Sequence, residues 1–461
     1  MSDRSFHIMT FGCQMNAHDS RWLAGALIAR GFAQTSIERA RVVILNTCSV
    51  REKPEQKVKT AIGRVRAITG GDPEVLVAVT GCVAQQLGQT LFESGCQVRL
   101  VAGSDGINGV PEAVERLLDE PRLRLSLLDF TDHYSEREPV GCAIAGQSRP
   151  VTHVTVMQGC DNFCAYCIVP YTRGRQKSRA VKAVLDECRA ALEMGGAREI
   201  MLLGQNVNAF GRDTTGDDDG FADLLARVAA LPGLERLRFV TPHPGEMKPV
   251  DIESFASVAP LCPRLHLPVQ SGSDRVLARM GRAYTRQDFY NLVAALRKAR
   301  LDLALSTDII VGFPGETEED FNDTLETLTD CNFMSAFSFC YSDRPGTRAA
   351  LFADKIAPER KQERLLRLQA LQESLSGRWL EARLLQQTSL LIETRSPRQP
   401  CHNEEKVGER TEVLWQGRDP YGALVHVGLP SGRDHTGRMV PVEITKVGRH
   451  SLTGRQTGSA W

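Results

Sequence analysis

Apolar residues near the start of the chain fall into three short runs, His7–Phe11, Val42–Leu45 and Val75–Val79. Between them lie stretches such as Asp19–Arg30 and Glu55–Ile68, in which apolar positions recur every three to four residues. Short apolar runs alternating with helical periodicity predict a parallel sheet built from strand-helix units. Each run leads into a polar turn holding a cysteine: Phe11-Gly12-Cys13, Asn46-Thr47-Cys48 and Thr80-Gly81-Cys82. All three cysteines therefore sit at strand carboxyl ends, where such sheets form their ligand sites. Any one of them could be a small buried apolar residue; three at equivalent positions point to a shared site.

Periodicity fades over Phe130–Pro150, which reads as a linker. Strand-like runs then recur at Val151–Met157, Glu199–Leu203, Arg236–Val240, Leu265–Val269, Ala304–Val311 and Met334–Tyr341. Helical patterns between them include Ala180–Glu193, Phe221–Leu231, Arg286–Ala299 and Glu318–Thr329. Six such repeats predict a partial (β/α)6 barrel with its site at the strand carboxyl ends. A charged helical stretch, Ala357–Leu385, precedes four short runs, Leu390–Glu393, Thr411–Trp415, Ala423–Val427 and Val440–Lys446, that suit a small antiparallel β-barrel. The chain thus reads as α/β in three parts: residues 5–122, a linker 123–145, a core 146–379 and a barrel 380–449.

Composition narrows the function class. The 461 residues suffice for about three domains. No apolar run approaches the ~18 residues of a membrane helix, and MSDRSFHIMTFGC lacks the apolar core of a secretory signal. The expected address is the cytoplasm, where the 13 cysteines stay reduced and serve as ligands or packing residues rather than disulfides. The 56 basic and 56 acidic side chains cancel, so any nucleic-acid partner has to be argued from local patches.

The strongest chemical signal is Cys160-x3-Cys164-x2-Cys167, directly after the first barrel strand. Three close thiolates without a fourth suit a 4Fe-4S cluster with one open iron; a zinc site, the alternative, usually closes its tetrahedron with another Cys or His. An open iron can chelate S-adenosylmethionine, and one electron then cleaves its sulfonium C–S bond to a 5'-deoxyadenosyl radical. Phe163 and Tyr166, interleaved with the ligands, could shield the cluster and stack near the adenine, or simply pack the loop.

This motif resembles the radical S-adenosylmethionine signature. Its extension Ile168–Arg179 (IVPYTRGRQKSR), with FGCQMN around Cys13, NTCSVRE around Cys48 and GCVAQ around Cys82, resembles the methylthiotransferase family. Leu203–Asn206, His266–Gly272 and Asp308–Glu316 also match it, and the last module resembles a TRAM RNA-binding domain. CQMN with CSVRE is most similar to the branch that methylthiolates isopentenyladenosine beside the anticodon, at position 37 of tRNA. The branches acting on threonylcarbamoyladenosine or on a ribosomal protein tend toward other sequences there. The resemblance implies that Cys13, Cys48 and Cys82 ligate a second 4Fe-4S cluster that holds the sulfur. It also implies tRNA, a sulfur donor and a reduced electron donor such as flavodoxin or ferredoxin as partners. A metal-stabilised RNA-binding protein without catalysis is the alternative from another class.

No side chain is singled out as an acid or base. Gln205 and Asn206 at the second barrel strand's end, and Gly312 in the turn after the fifth, are the cofactor-binding candidates; either stretch could be a plain tight turn. His266 reads as a hydrogen-bonded core histidine. Arg173, Arg175, Lys177 and Arg179, with Lys182, form an acid-free basic run beside the cluster loop and are the expected RNA phosphate contacts. Arg51–Lys59 is a second basic stretch, equally suited to an exposed helix. The acidic stretch Asp213–Asp219 is expected to avoid RNA, and the other seven cysteines are expected to be packing residues.

Overall fold

A computed structural model describes residues 4–49, 54–137, 150–213, 220–398, 406–407 and 410–461. The first part is a six-stranded, wholly parallel sheet: β1 (Ser5–Thr10), β2 (Ala33–Gln34), β3 (Val42–Thr47), β4 (Leu76–Gly81), β5 (Val98–Ala102) and β6 (Leu125–Leu127), in the order β2-β1-β3-β4-β5-β6. Every residue of β3, β4 and β5 is buried, because helices cover both faces and leave no polar side. Alternate strand residues feed the two cores, Ile44 and Ala78 on one face, Val43 and Val77 on the other. The helices are α1 (Gln14–Ala29), α2 (Pro54–Ile68), α3 (Cys82–Leu87) and α4 (Val110–Asp119). Strand β6 lies within the stretch expected as linker, so the sheet reaches further than 122; residues 138–149 lie outside the described residues.

The central part contains β7 (Val151–Thr155), a short hairpin pair β8 (Met157–Gln158) and β9 (Lys177–Ser178), then β10 (Glu199–Leu203), β11 (Arg236–Phe239), β12 (Arg264–His266), β13 (Ala304–Val311) and β14 (Ser335–Cys340). Two parallel sheets, β11-β10-β7 and β12-β13-β14, meet through a single bridge between Leu237 and Leu261. The six repeats thus make an open barrel whose edges are β7 and β14. Its helices are α5 (Val169–Arg173), α6 (Val181–Glu193), α7 (Phe221–Ala229), α8 (Pro249–Ser257), α9 (Asp274–Met280), α10 (Arg286–Ala299), α11 (Glu318–Asp330) and α12 (Pro358–Glu381). Helices α10 and α11 begin with capping boxes, Thr285 with Asp288 and Thr317 with Asp320, which satisfy amides that have no partner within the helix. Helices α8 and α9 escape the sequence reading: α9 has only seven residues, and α8, as long as α7, buries Asp251 and Ser254 beside Phe255 and so shows no apolar stripe.

The last part holds β15 (Gln387–Arg395), β16 (Lys406–Val407), β17 (Arg410–Arg418), β18 (Leu424–Pro430), β19 (Met439–Val447) and β20 (Leu452–Gln456). Pairings β15–β19, β19–β20, β20–β18, β18–β17 and β17–β15 close a five-stranded ring around Leu390, Val427, Val442 and Leu452. Four pairings are antiparallel and β18–β20 is parallel. The closing strand β20 lies beyond 449, the expected end of the module, because its LTGRQ sequence is too polar to register as an apolar run.

Candidate active site

The turns after β1, β3 and β4 bring the first three cysteines together. Cys13 caps α1, Cys48 follows β3, and Cys82 opens α3. Gly12 adopts φ +97°, and a Cβ there would stand 2.1 Å from Cys48 Cβ; Gly81 adopts φ +87°, where a Cβ would stand 2.4 Å from the Thr47 carbonyl oxygen. Only glycine lets the turns approach so closely. Asn16 locks them further, its Nδ2 donating to the carbonyls of Phe11 (3.0 Å) and Thr47 (2.8 Å). Asn46 Nδ2 donates in turn to the Asn16 carbonyl at 2.9 Å.

The second triad lies on the loop after β8. Ala165 donates to the Met280 carbonyl (2.7 Å) and accepts at its own carbonyl from Ala349 (2.8 Å), which ties the loop to α9 and to the segment after β14. Phe163 takes φ +45°, uncommon for a non-glycine residue. Arg348 holds that kink by donating to the Phe163 carbonyl at 3.1 Å.

Cys13, Cys48, Cys82, Cys160, Cys164 and Cys167 all line one cavity of about 340 Å³ at the carboxyl ends of both sheets. Each triad is served by one buried guanidinium. Arg173 donates to Asn16 Oδ1 (2.9 Å) and lies 3.9 Å from Asp19, while its Nη1 has no hydrogen-bond partner among the described residues. Burial works to lower its pKa, but Cys82, Asp19 and Cys13 outweigh burial and raise it. Arg282 donates to the Pro268 carbonyl (2.9 Å), to Tyr284 Oη (3.0 Å) and toward Cys164 Sγ (3.6 Å). All of these are uncharged groups or a thiol. A buried guanidinium is costly unless paired with an anion, and three thiolates around a cluster supply one.

The thiols differ in readiness. A hydrogen bond from Cys48 draws Cys13 down to about 5, against burial and with help from Arg173. Burial, with the like charge of Cys164, pushes Cys167 up to about 12, and burial also raises Cys160. Among the described residues no group of three or more His, Cys, Asp or Glu side chains could hold a single metal ion. Each set offers three soft thiolates, the donor type that iron-sulfur clusters take.

Two cofactor candidates from sequence line the same cavity. Gln205 Oε1 accepts from the Gly159 amide at 2.6 Å and its Nε2 contacts Met15 Sδ. Asn206 Nδ2 donates to Glu246 at 3.0 Å, leaving its buried Oδ1 without a partner among the described residues. Tyr166 also lines the cavity, whereas Phe163 packs against Tyr171 with ring centroids 6.1 Å apart, under the Arg175 guanidinium. Gly312 lies outside the lining: its amide donates to Glu316 at 2.8 Å, and Glu316 pairs with buried Arg364 at 2.7 Å. His266 is hydrogen-bonded to Ser306 (3.1 Å) and lies 3.3 Å from Asp308, but it is half-buried rather than enclosed in the core.

The basic run needs correction. Arg173, Lys177 and Arg179 are 3%, 2% and 3% exposed and cannot reach RNA phosphates. Lys177 pairs with Asp105, and Arg179 pairs with Glu136 and Glu187. Asp105, after β5, and Glu136, in the connecting strap, are 72 and 43 residues away in sequence from Lys177 and Arg179, whereas Glu187 comes from nearby α6. Only Arg175 and Lys182 of the five are exposed, beside Asp161 and Asp186. In the second basic stretch Lys57 and Lys59 are exposed on α2, while residues 51–53 lie outside the described residues. Asp213 accepts from the Ser178 amide (2.7 Å) and from Gln176 (3.0 Å) to brace this loop; 214–219 lie outside the described residues. Cys188, Cys262 and Cys331 are buried packing residues; Cys96 is exposed and Cys340 half-buried, and Cys142 and Cys401 lie outside the described residues.

Sequence reasoning missed Arg282 and His243, which line the cavity from loops, and took Asp308, in mid-β13, only as the start of a family-matching stretch and not as a site residue. Burial, Arg282 and Arg212 press His243 down to about 3, so its imidazole is neutral. Thr241 (φ +61°) and Gln270 (φ +73°) mark the same rim with left-handed backbone, the kind of local strain that concentrates at functional sites.

Residues 154–328 match the radical SAM superfamily, and residues 5–103 match a family described as uncharacterized protein family UPF0004. The chain is 55% identical to the tRNA-2-methylthio-N(6)-dimethylallyladenosine synthase of Nitratidesulfovibrio vulgaris strain DP4, covering 100% of both chains. Proteins of the same name from Oleidesulfovibrio alaskensis and Lawsonia intracellularis are 51% and 49% identical, over 100% and 98% of each chain. The chain belongs to the tRNA-2-methylthio-N(6)-dimethylallyladenosine synthase family. It is a radical S-adenosylmethionine methylthiotransferase, a transferase that uses S-adenosylmethionine and 4Fe-4S clusters. Among solved structures, the radical S-adenosylmethionine methyltransferase TsrM from Kitasatospora setae superposes with a TM-score of 0.57 at 15% identity, covering 76% of this chain and 74% of that one. At that identity the likeness speaks for the fold alone.

Proposed function

We propose that Cys13, Cys48 and Cys82 hold one 4Fe-4S cluster and Cys160, Cys164 and Cys167 another, and that the protein methylthiolates C2 of isopentenyladenosine at position 37 of tRNA. The observation that carries this reading is the single cavity shared by both triads. When bound, the cofactors supply a hydrogen-abstracting radical from S-adenosylmethionine and a methylated sulfur for transfer, two chemistries that have to meet at one carbon. The chain's part is to hold them at one mouth. Arg173 crosses from the cluster-loop helix to the first triad, and Arg282 sits behind the second. Gln205 and Asn206 offer amides at the end of β10 for the amino-acid end of S-adenosylmethionine, and Tyr166 offers a ring. His243, neutral and buried, adds no charge that would repel a sulfonium.

The finer partners belong to this reading: a flavodoxin- or ferredoxin-type electron donor, a sulfur donor, and a cytoplasmic setting. No helix among the described residues is long and apolar enough to cross a membrane. We divide the chain into the cluster-bearing sheet, the radical core and an RNA-binding TRAM-type barrel that includes β20. Arg175 is retained as an RNA contact.

The test is anaerobic reconstitution, counting of iron and sulfide, and mass spectrometry of isopentenylated tRNA. Two clusters and a methylthio mass gain are expected. Cys164→Ala should abolish S-adenosylmethionine cleavage, whereas Cys48→Ala should retain cleavage and lose the methylthio product. Zinc in place of iron, or cleavage with no tRNA product from the intact chain, overturns the reading.

A further inference from the structure

On β13, Leu305, Ile309 and Val311 pack into the core beneath the helices. The alternate residues Ser306, Asp308 and Ile310 therefore face the inside of the open barrel. In-register pairing sets Ser335, Phe337 and Phe339 of β14 beside them on that same inner face. Inner faces of such barrels are ordinarily filled and buried. Phe337 and Phe339 are instead 54% and 49% exposed, and β14 pairs only with β13 among the described residues.

The two rings lie outside the cavity lining but connect to it through intervening side chains. Phe337 meets His266 edge-on, with centroids 5.8 Å apart, and His266 lies 3.3 Å from Asp308, a cavity-lining residue. Ile310, the lateral neighbour of Phe339, packs in the cluster that includes Tyr166, another lining residue. Away from the cavity, a groove of about 320 Å³ runs past Phe337 and Phe339 to Gln369 on α12 and to Arg449 and His450 of the C-terminal barrel. The Arg449 side chain is 72% exposed, and its pair with exposed Glu373 is of the weak, exchangeable kind.

We propose that Phe337 and Phe339 are a stacking platform for the unpaired nucleobases that flank the modified adenosine. This rests on the reading of the chain as acting on tRNA. RNA loops are recognised with their bases splayed onto aromatic faces, and stacking accepts any base because every base has a π-face. Two rings on the path from cavity to RNA module, with an amide and a guanidinium at the outer end, match a single strand. They do not match a duplex, which offers no free base face. The platform lets the target adenosine enter the cavity while its neighbours stay stacked outside.

The test uses the cluster-loaded full-length protein and an isopentenylated anticodon stem-loop carrying 2-aminopurine beside the target. Phe337→Ala and Phe339→Ala should each raise Kd about 5- to 150-fold, the range that loss of one stacked base implies. The intact chain should quench the 2-aminopurine, the Ala variants should abolish that quenching, and Phe337→Tyr should restore both. Iron content and melting temperature establish that the variants fold. If folded Ala variants bind and quench within twofold of the intact chain, or if Tyr fails like Ala, the platform is overturned. If the Ala variants change only the sedimentation of the protein, the rings cover a second copy, and the proposal also falls. Methylthiolation of the stem-loop by the intact chain is scored separately, so failure of the tRNA reading is distinguishable.

Discussion

Arg173 shows how one side chain can be assigned two opposite roles. As part of an acid-free run it reads as a phosphate contact, yet it is buried against Asn16, with Asp19, Cys13 and Cys82 around its guanidinium. Replacing it by Met should leave S-adenosylmethionine cleavage in place but strip the first cluster, so that iron falls by roughly half; Lys should retain more iron because the charge survives. Glu187 gives a pH prediction. Burial pushes its carboxyl up, but His18 and Arg179 outweigh burial and hold it at about 2, against 4.5 unperturbed. A depressed carboxyl contributes stability that is present above pH 4.5 and is lost as pH falls toward 2. Glu187→Gln should cost about 3 kcal/mol at pH 7, and calorimetry should show the gap to the intact chain closing between pH 4.5 and 2.

At the scale of elements, the strand-end turns do most for function. Gly12 and Gly81 are dictated by positive φ and by contacts that leave no room for a Cβ. Gly12→Ala should displace Cys48, cost about 1–3 kcal/mol in backbone strain alone, and prevent loading of the first cluster; the iron-sulfur absorbance per chain should drop by roughly half. The six cysteines that line the cavity were legible in sequence, three from their spacing along strand-helix units, which maps onto a sheet's carboxyl edge, and three from their close spacing in one loop. Arg282 and His243 were not, since each stands alone in its segment and acquires meaning only when the barrel curves. Short elements failed for related reasons: α9 holds too few turns for a periodic signal, α8 buries Asp251 and Ser254 and so lacks an apolar stripe, and β20 is specified by its two neighbours rather than by its own residues.

Across the whole molecule, buried polar contacts fasten the modules to one another. Arg238 reaches from β11 to Glu199 (2.8 Å) and to the carbonyls of Asp419 (2.9 Å) and Pro420 (2.8 Å), while Arg236 donates to the carbonyls of Arg418 and Ser389 at 2.7 Å each. These clamps set the C-terminal barrel against the core. Arg238→Ala should cost about 3 kcal/mol, expose the segment near Gln386 to proteolysis, and raise KM for tRNA more than it lowers kcat.

Sequence alone determined the order of the modules, the α/β class, the two cysteine triads and the family, because these follow from local periodicity and from spacing within single strand-helix units. Tertiary structure decided what no local pattern contains. It brought both triads to one cavity, turned Arg173, Lys177 and Arg179 inward onto acids tens of residues away in sequence, and left Phe337 and Phe339 bare on the open edge of the barrel. Charge pairing and strand closure are long-range. A side chain's partner, and hence its role, is set by which distant segments the fold packs against it.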